Sequence, residues 1–245
     1  MLGTAFDNLS GKGRNTVPKD ELMASRCGMP MASECDGCGM CLGICPTSAI
    51  TIDDGWKVDL GRCLMCMDCI QHCPKGYILE APAPDYALSR EELVLGRDYD
   101  IGKIERRLDD SVAKMFRGSL AFRELDTGSC NACEVELNCA SNQFYDMHRF
   151  GIKVVASPRH ADALLITGPM ARNMEVASEM TYDAVPEPKL VIASGTCAIS
   201  GGLFVGGDVV PDGVRKMEPS VFIPGCPPTP DRVIRSLVKA LGMRR

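Results

Sequence analysis

The sequence predicts a small cysteine-rich α+β module followed by an open parallel α/β sheet domain, and three observations carry that prediction. A run of cysteines at fixed spacing is written twice between Cys35 and Pro74. Short continuous apolar runs after residue 119 alternate with helical stretches. Between the two regions, Ala81-Pro-Ala-Pro-Asp marks a linker that its prolines hold extended. The boundaries that follow are an arm over 1–34, the cysteine module over 35–82, a linker with helices over 83–118 and the sheet domain over 119–245. A chain of 245 residues is comfortable for two domains.

The arm gives little. Gly3, Gly11, Gly13, Pro18 and Pro30 break any long pattern, and Pro18-Lys-Asp-Glu-Leu-Met starts only a short helix. It reads as a tether or a partner-wrapping segment, with Cys27 a small half-buried side chain.

The module reads Cys35-Asp-Gly-Cys38-Gly-Met-Cys41-Leu-Gly-Ile-Cys45-Pro46 and then, eighteen residues after Cys45, Cys63-Leu-Met-Cys66-Met-Asp-Cys69-Ile-Gln-His-Cys73-Pro74. That is C-x2-C-x2-C-x3-C-P written twice, a spacing that holds [4Fe–4S] clusters. A loop with a thiolate at every third residue wraps three irons of a cubane, and the fourth ligand serves the other cube. The assignment is Cys35, Cys38, Cys41 and Cys73 for the first cluster, and Cys63, Cys66, Cys69 and Cys45 for the second. Zinc fits less well, because its ligands come in two separated pairs rather than a triplet with a trailing fourth. Ala49-Ile-Thr-Ile-Asp, the Asp54-Gly55 turn and Lys57-Val-Asp-Leu form a hairpin between the loops. Met29, Met31, Met40, Met65 and Met67 supply soft, gap-filling cover that also limits water at the clusters. His72 precedes a ligand and reads as a surface or supporting residue. This stretch resembles the bacterial-type 2[4Fe-4S] ferredoxin family.

In the linker, Ser89-Arg-Glu-Glu has the form of a capped helix start, with Glu92 at the capping-box position. Apolar residues at 101, 104, 108, 112, 115 and 116 trace a helical stripe. In the sheet domain, Leu120–Leu125, Lys153–Ala156, Ala163–Thr167, Leu190–Ala193 and Val221–Ile223 read as strands, mostly continuous apolar runs buried on both faces. Asn173–Tyr182 and Asp231–Leu241 read as helices, and strand–helix alternation predicts a parallel sheet with its site beyond the carboxyl ends of the strands. Cys130 and Cys133 follow the first strand, Cys197 the fourth and Cys226 the last, which brings four more thiolates together for a third cubane. Gly128, Gly195 and Gly225 are expected to let the backbone approach it. Cys139 reads as a buried free thiol on the helix after Cys133. Glu134 reads either as a helix-start carboxylate or as a proton-path residue. His148 and His160 border loops.

Gly-Ser-Cys130-Asn-Ala-Cys133-Glu, Ile-Thr-Gly-Pro, Gly-Thr-Cys197-Ala-Ile-Ser-Gly-Gly and Pro-Gly-Cys226-Pro-Pro resemble the cluster loops of one family. It includes the small subunits of membrane-bound, energy-converting [NiFe] hydrogenases (group 4) and the 20-kDa subunit of complex I. The resemblance covers about residues 119–242 and implies a flavodoxin-like sheet. Where the complex I branch usually has two adjacent cysteines, this sequence has C-x2-C, which favours the hydrogenase branch. The resemblance implies an electron-transfer subunit without an active site of its own, carrying three [4Fe-4S] clusters. Its implied partners are a large [NiFe] hydrogenase-like subunit, membrane-arm subunits and a low-potential donor such as ferredoxin. A complex I-like quinone oxidoreductase subunit without nickel and a stand-alone ferredoxin-type carrier remain as alternatives.

Composition bounds the rest. A net charge of −5 without a Lys/Arg-rich face argues against nucleic acid as a partner. Fourteen cysteines, twelve of them in metal-binding sets, with no basic and then apolar stretch in Met1–Ser10, point to a reducing interior. The expected location is cytoplasmic, peripheral on the cytoplasmic face of the membrane through partner subunits. The eighteen uncharged residues Leu190–Gly207 are long enough to span a bilayer, but their glycines favour a strand and a glycine-rich loop.

Overall fold

The computed structural model describes residues 16–24, 27–116 and 118–243. The readings of Gly3, Gly11 and Gly13 as breakers, and of Met1–Ser10, fall outside them. The first half runs α1 (Lys19–Ala24), β1 (Gly28–Ala32), α2 (Met40–Ile44), β2 (Ile50–Thr51), β3 (Lys57–Asp59), α3 (Asp68–Gln71), β4 (Ile78–Pro82) and β5 (Val94–Leu95). The second runs α4 (Ile101–Ile104), α5 (Asp110–Phe116), β6 (Leu120–Asp126), α6 (Ala132–Ala140), β7 (Ile152–Val154), β8 (Ala163–Thr167), α7 (Glu175–Ala184), β9 (Leu190–Ser194), α8 (Thr196–Ser200), β10 (Val221–Ile223) and α9 (Pro230–Leu241).

Two small antiparallel sheets frame the cysteine loops. β1 pairs with β4, and β2–β3–β5 form the other, so the expected hairpin gains a third strand from the linker. β1 lies in the stretch read as an arm: its methionines alternate with Gly28 and Pro30 and give no strand signal. Met29 and Met31 are buried there.

The larger sheet has the order β10-β9-β8-β6-β7, all parallel, the flavodoxin-like order of a doubly wound fold. β8 and β9 are buried at every residue, as uninterrupted apolar runs require. Alternate residues of β8 face opposite cores. Ala163 and Leu165 join Phe122, Leu137 and Leu237 under α6 and α9. Leu164 and Ile166 join a core that continues into the cysteine module through Leu60, Leu93 and Met29. Full burial of a leucine stabilises by about 1.5–3 kcal/mol, so the two halves share a core rather than a tether.

Three local expectations change. The Ser89 start yields a single 3-10 turn, Glu91–Leu93, although Glu92 does reach back to the Ser89 N–H at 3.3 Å. The stripe over 101–116 is not one helix. It breaks between α4 and α5, where Leu108 donates its N–H to Ala240 O at 2.8 Å and Asp109 caps the next helix through Ser111 N–H at 2.9 Å. The glycine-rich segment after β9 is helical at its start, as α8. No helix among the described residues is long and apolar enough to cross a membrane.

The linker is stitched into both halves. Ala87 exchanges two backbone hydrogen bonds with Phe222, at 3.0 and 2.9 Å, along the outer edge of β10. Asp85, fully buried, accepts from Arg235 at 2.8 and 3.0 Å and from Lys239 at 2.7 Å, both on α9.

Candidate iron–sulfur sites

The structure brings Cys35, Cys38, Cys41 and Cys73 around one cavity, with Trp56 and Tyr77 in its wall. A second cavity is lined by Cys45, Cys63, Cys66 and Cys69. Both loops are built the same way. The second residue after the first cysteine donates its N–H to that cysteine's sulfur, Gly37 to Cys35 and Met65 to Cys63, each at 3.4 Å. That residue and the one two steps on are left-handed in both: Gly37 and Gly39 at φ 75° and 73°, Met65 and Met67 at φ 57° and 63°. Such turns aim successive amides inward at a negatively charged group.

Cys130, Cys133, Cys197 and Cys226 meet at the carboxyl ends of β6, β9 and β10, where burial raises the Cys133 thiol and Glu134 and the other three cysteines add to the rise. Gly195, at φ 91°, stands where a Cβ would lie 2.8 Å from Cys133 Sγ, and a Cβ on Gly202 would lie 2.9 Å from Cys197 Sγ. Gly195 therefore plays the expected part. Gly128 and Gly225 instead make room for Ala171 and Pro228, and the thiol-facing Gly202 was hidden among the glycines of a glycine-rich loop.

The second and third sites touch. The Thr196 hydroxyl, next to Cys197 and 1% exposed, lies 3.0 Å from the Cys63 carbonyl and 3.1 Å from that of Gly225. Burial pushes the Cys226 thiol up, helped by Cys130 and by Cys66 of the neighbouring loop. Arg232 on α9 donates to Pro224 O at 2.8 Å and stands 3.1 Å from Met65 Sδ.

The donor chemistry suits clusters. Burial pushes Cys63 and Cys197 up to about 11 and Cys69 up to about 12, so these thiols hold their protons near neutrality until a metal displaces them. At Cys73 the balance reverses: against desolvation, the N–H groups of Ile78, Lys75, Tyr77 and Gly76 hold the thiol below its usual value. Burial raises the Cys41 thiol, and Trp56 Nε1, buried without a hydrogen-bond partner, stands near enough to work against that rise. An unpaired indole N–H in the cavity wall fits a sulfur-rich occupant. Among the described residues no group of His, Cys, Asp or Glu is drawn together to hold a single metal ion; the thiols surround cavities instead.

Other singled-out residues stay apart. Cys27 lies half-buried beside Thr229, at 3.5 Å, and Cys139 half-buried on α6. Glu134, in the first turn of α6, accepts from Ser129 Oγ at 2.8 Å. His72 binds Asp68 O at 2.9 Å, and His148 and His160 sit in 3-10 turns. Thr196 and Arg232 were missed, since each gains its meaning from a partner far away in sequence.

The chain is similar to known proteins. The model of the NADH ubiquinone oxidoreductase 20-kDa subunit matches residues 130–240, and that of the 4Fe-4S dicluster domain matches residues 34–77. Formate hydrogenlyase subunit 7 of Escherichia coli is 39% identical over 60% of this chain and 61% of its own, so this chain spans less than two thirds of that relative. The probable membrane-bound hydrogenase subunit mbhJ of Pyrococcus furiosus is 37% identical over 57% of this chain and 83% of its own. The NADH-quinone oxidoreductase B subunit of Clostridium beijerinckii is 41% identical over 54% of this chain and 78% of its own. On this coverage, the chain belongs to the 20-kDa subunit family of hydrogenase and NADH-quinone oxidoreductase complexes, with a 4Fe-4S dicluster domain ahead of it.

Proposed function

We propose that this chain relays electrons between a low-potential donor, such as ferredoxin, and the active site of a large subunit in a membrane-bound [NiFe] hydrogenase. Cys35, Cys38, Cys41 and Cys73 would hold one [4Fe–4S] cluster, Cys45, Cys63, Cys66 and Cys69 a second, and Cys130, Cys133, Cys197 and Cys226 a third. Each cluster, when bound, supplies a one-electron couple whose potential the protein sets within roughly −700 to +450 mV. The protein's own part is to hold the thiolates, exclude water from Cys63, Cys69 and Cys133, and fix the distance between sites. The chain sits at the cytoplasmic face, held there by membrane-arm subunits.

One observation supports this reading: each set of four cysteines is drawn together, and Thr196 bridges the second and third sets. Substrate chemistry is left to the partner. The test is the metal content of the native complex isolated through this chain, with EPR of Cys197→Ser. Nickel in stoichiometric amount with iron is expected, and Cys197→Ser should lose the third signal only. Iron without nickel would move the complex to the quinone-reducing, complex I-like reading, which the likeness to the NADH-quinone oxidoreductase relative favours. Retention of all three signals in Cys197→Ser would sink the ligand assignment.

A further inference from the structure

A buried cation that the relay does not otherwise need stands where the second and third sites meet. The Arg232 side chain is 1% exposed. Nη1 binds Pro224 O, two residues before Cys226, and touches Met65 Sδ, between Cys63 and Cys66. Nη2 donates to Pro84 O at 3.4 Å. Nε is buried with no hydrogen-bond partner among the described residues. Asp85 stays 4.0 Å from that Nε, beyond hydrogen-bond reach, because its oxygens are engaged by Arg235 and Lys239.

The bonds to Pro224 O and Pro84 O tie the linker to the end of β10 but do not themselves require a charge. Buried ions replaced by apolar side chains of similar volume are often neutral or stabilising changes. Burial pushes Arg232 down from its ordinary value, but a guanidinium keeps its proton throughout the working range of proteins. An added electron at either neighbouring site is a negative charge in a low-dielectric region, and a fixed cation beside it lowers its energy. Arg235, one helical turn on, is doubly bonded to Asp85 and also bonded to Asp231, so its charge is spent locally.

We infer that Arg232 is a fixed positive charge that raises the reduction potentials of the second and third sites together, keeping the electron's energy level across the junction between the two halves. The inference rests on the three-cluster reading above. Its test is an EPR-monitored redox titration of the native complex carrying Arg232→Met, Arg232→Gln or Arg232→Lys. In the two neutral variants the reduction constants of the second and third signals should fall about tenfold, a downward shift of about 59 mV for a one-electron couple. The first signal, in the same molecule, should not move, and Arg232→Lys should keep all three near wild type.

Unmoved second and third signals in either neutral variant would overturn the inference. So would an equal shift of all three, or a shift in Arg232→Lys as large as in Arg232→Met. Failure of both neutral variants to assemble while Arg232→Lys assembles would also count against it, by making the cation a structural need. Fewer than three signals in the wild type would instead remove the underlying reading, an outcome visible before any variant is made.

Discussion

Cys35 and Cys38 of the first binding loop are exposed, whereas Cys63 and Cys69 of the second are buried, although the two loops share a backbone. The left-handed steps fall at the same places. The first loop uses Gly37 and Gly39 there, and the second uses Met65 and Met67. A left-handed residue other than glycine costs roughly 1–2 kcal/mol. The second loop accepts that cost where a long side chain is useful: Met65 packs on the shared core and contacts Arg232. The first loop is open to water at Cys35 and Cys38, although its Cys41 joins the core. The two sites therefore stabilise negative charge by different means. The outer one has solvent, the amides around Cys73 and the indole of Trp56; the inner one, with Cys63 and Cys69 buried and Cys66 exposed, has a fixed charge beside it.

The largest test of this contrast is Asp85→Asn. Arg235 and Lys239 would face a neutral amide, and removing one partner of a buried ion pair costs about 3–5 kcal/mol. Because α9 carries both the network and Arg232, thermal melts should shift down and the second and third iron signals should be lost at lower temperature than the first. Simultaneous loss of all three would break the contrast. The same carboxyl gives a pH dependence. Burial pushes Asp85 up, but Arg235 and Lys239 outweigh it and hold the group below its usual value. A carboxyl depressed in the folded state contributes stability that is whole above its unfolded value, about pH 4, and is lost as pH falls through the folded one. Melting temperature should therefore fall below about pH 4 in the wild type, and less steeply in Asp85→Asn.

A middle-sized effect is expected from Gly37→Ala. Nothing lies within 4 Å of the added Cβ, so only the left-handed backbone at φ 75° is penalised. The cost of about 1–2 kcal/mol should shorten the half-life of the first iron signal in chelator and leave the second unchanged. The smallest effect belongs to Trp56→Phe, which keeps an aromatic ring and removes the N–H. The first signal's midpoint should drop by less than about 59 mV, under a tenfold change, with no movement of the other two. A larger shift at the second site would mean that the two are not separately tuned.

The dicluster module was legible because its pattern is local: four cysteines within eleven residues, with proline after the fourth, need no knowledge of the fold. β8 and β9 were legible for a related reason, since double burial leaves no polar residue to interrupt the run. What escaped depends on distance. Arg232 and Arg235 look like the solvated face of an amphipathic helix, and the pairing with Asp85, about 150 residues earlier in the chain, helps make burial of Arg235 tolerable. The stripe over 101–116 kept its period, yet the end of α9 drew Leu108 out of the helix. The strand Gly28–Ala32 was masked by its methionines, which form helix readily, and by Gly28 and Pro30.

The bridge between Ala87 and Phe222 has a further consequence for how the molecule can be divided. β10 is an outer strand, and an uncovered outer strand offers its amides to any other chain that can pair with it. A fragment beginning near Ser119 would leave that edge bare, whereas one beginning near residue 83 keeps it covered but takes β5 from the small sheet it completes. Separately expressed halves should therefore stick to themselves or to each other, and a soluble sheet domain would need the segment from about residue 83 kept with it.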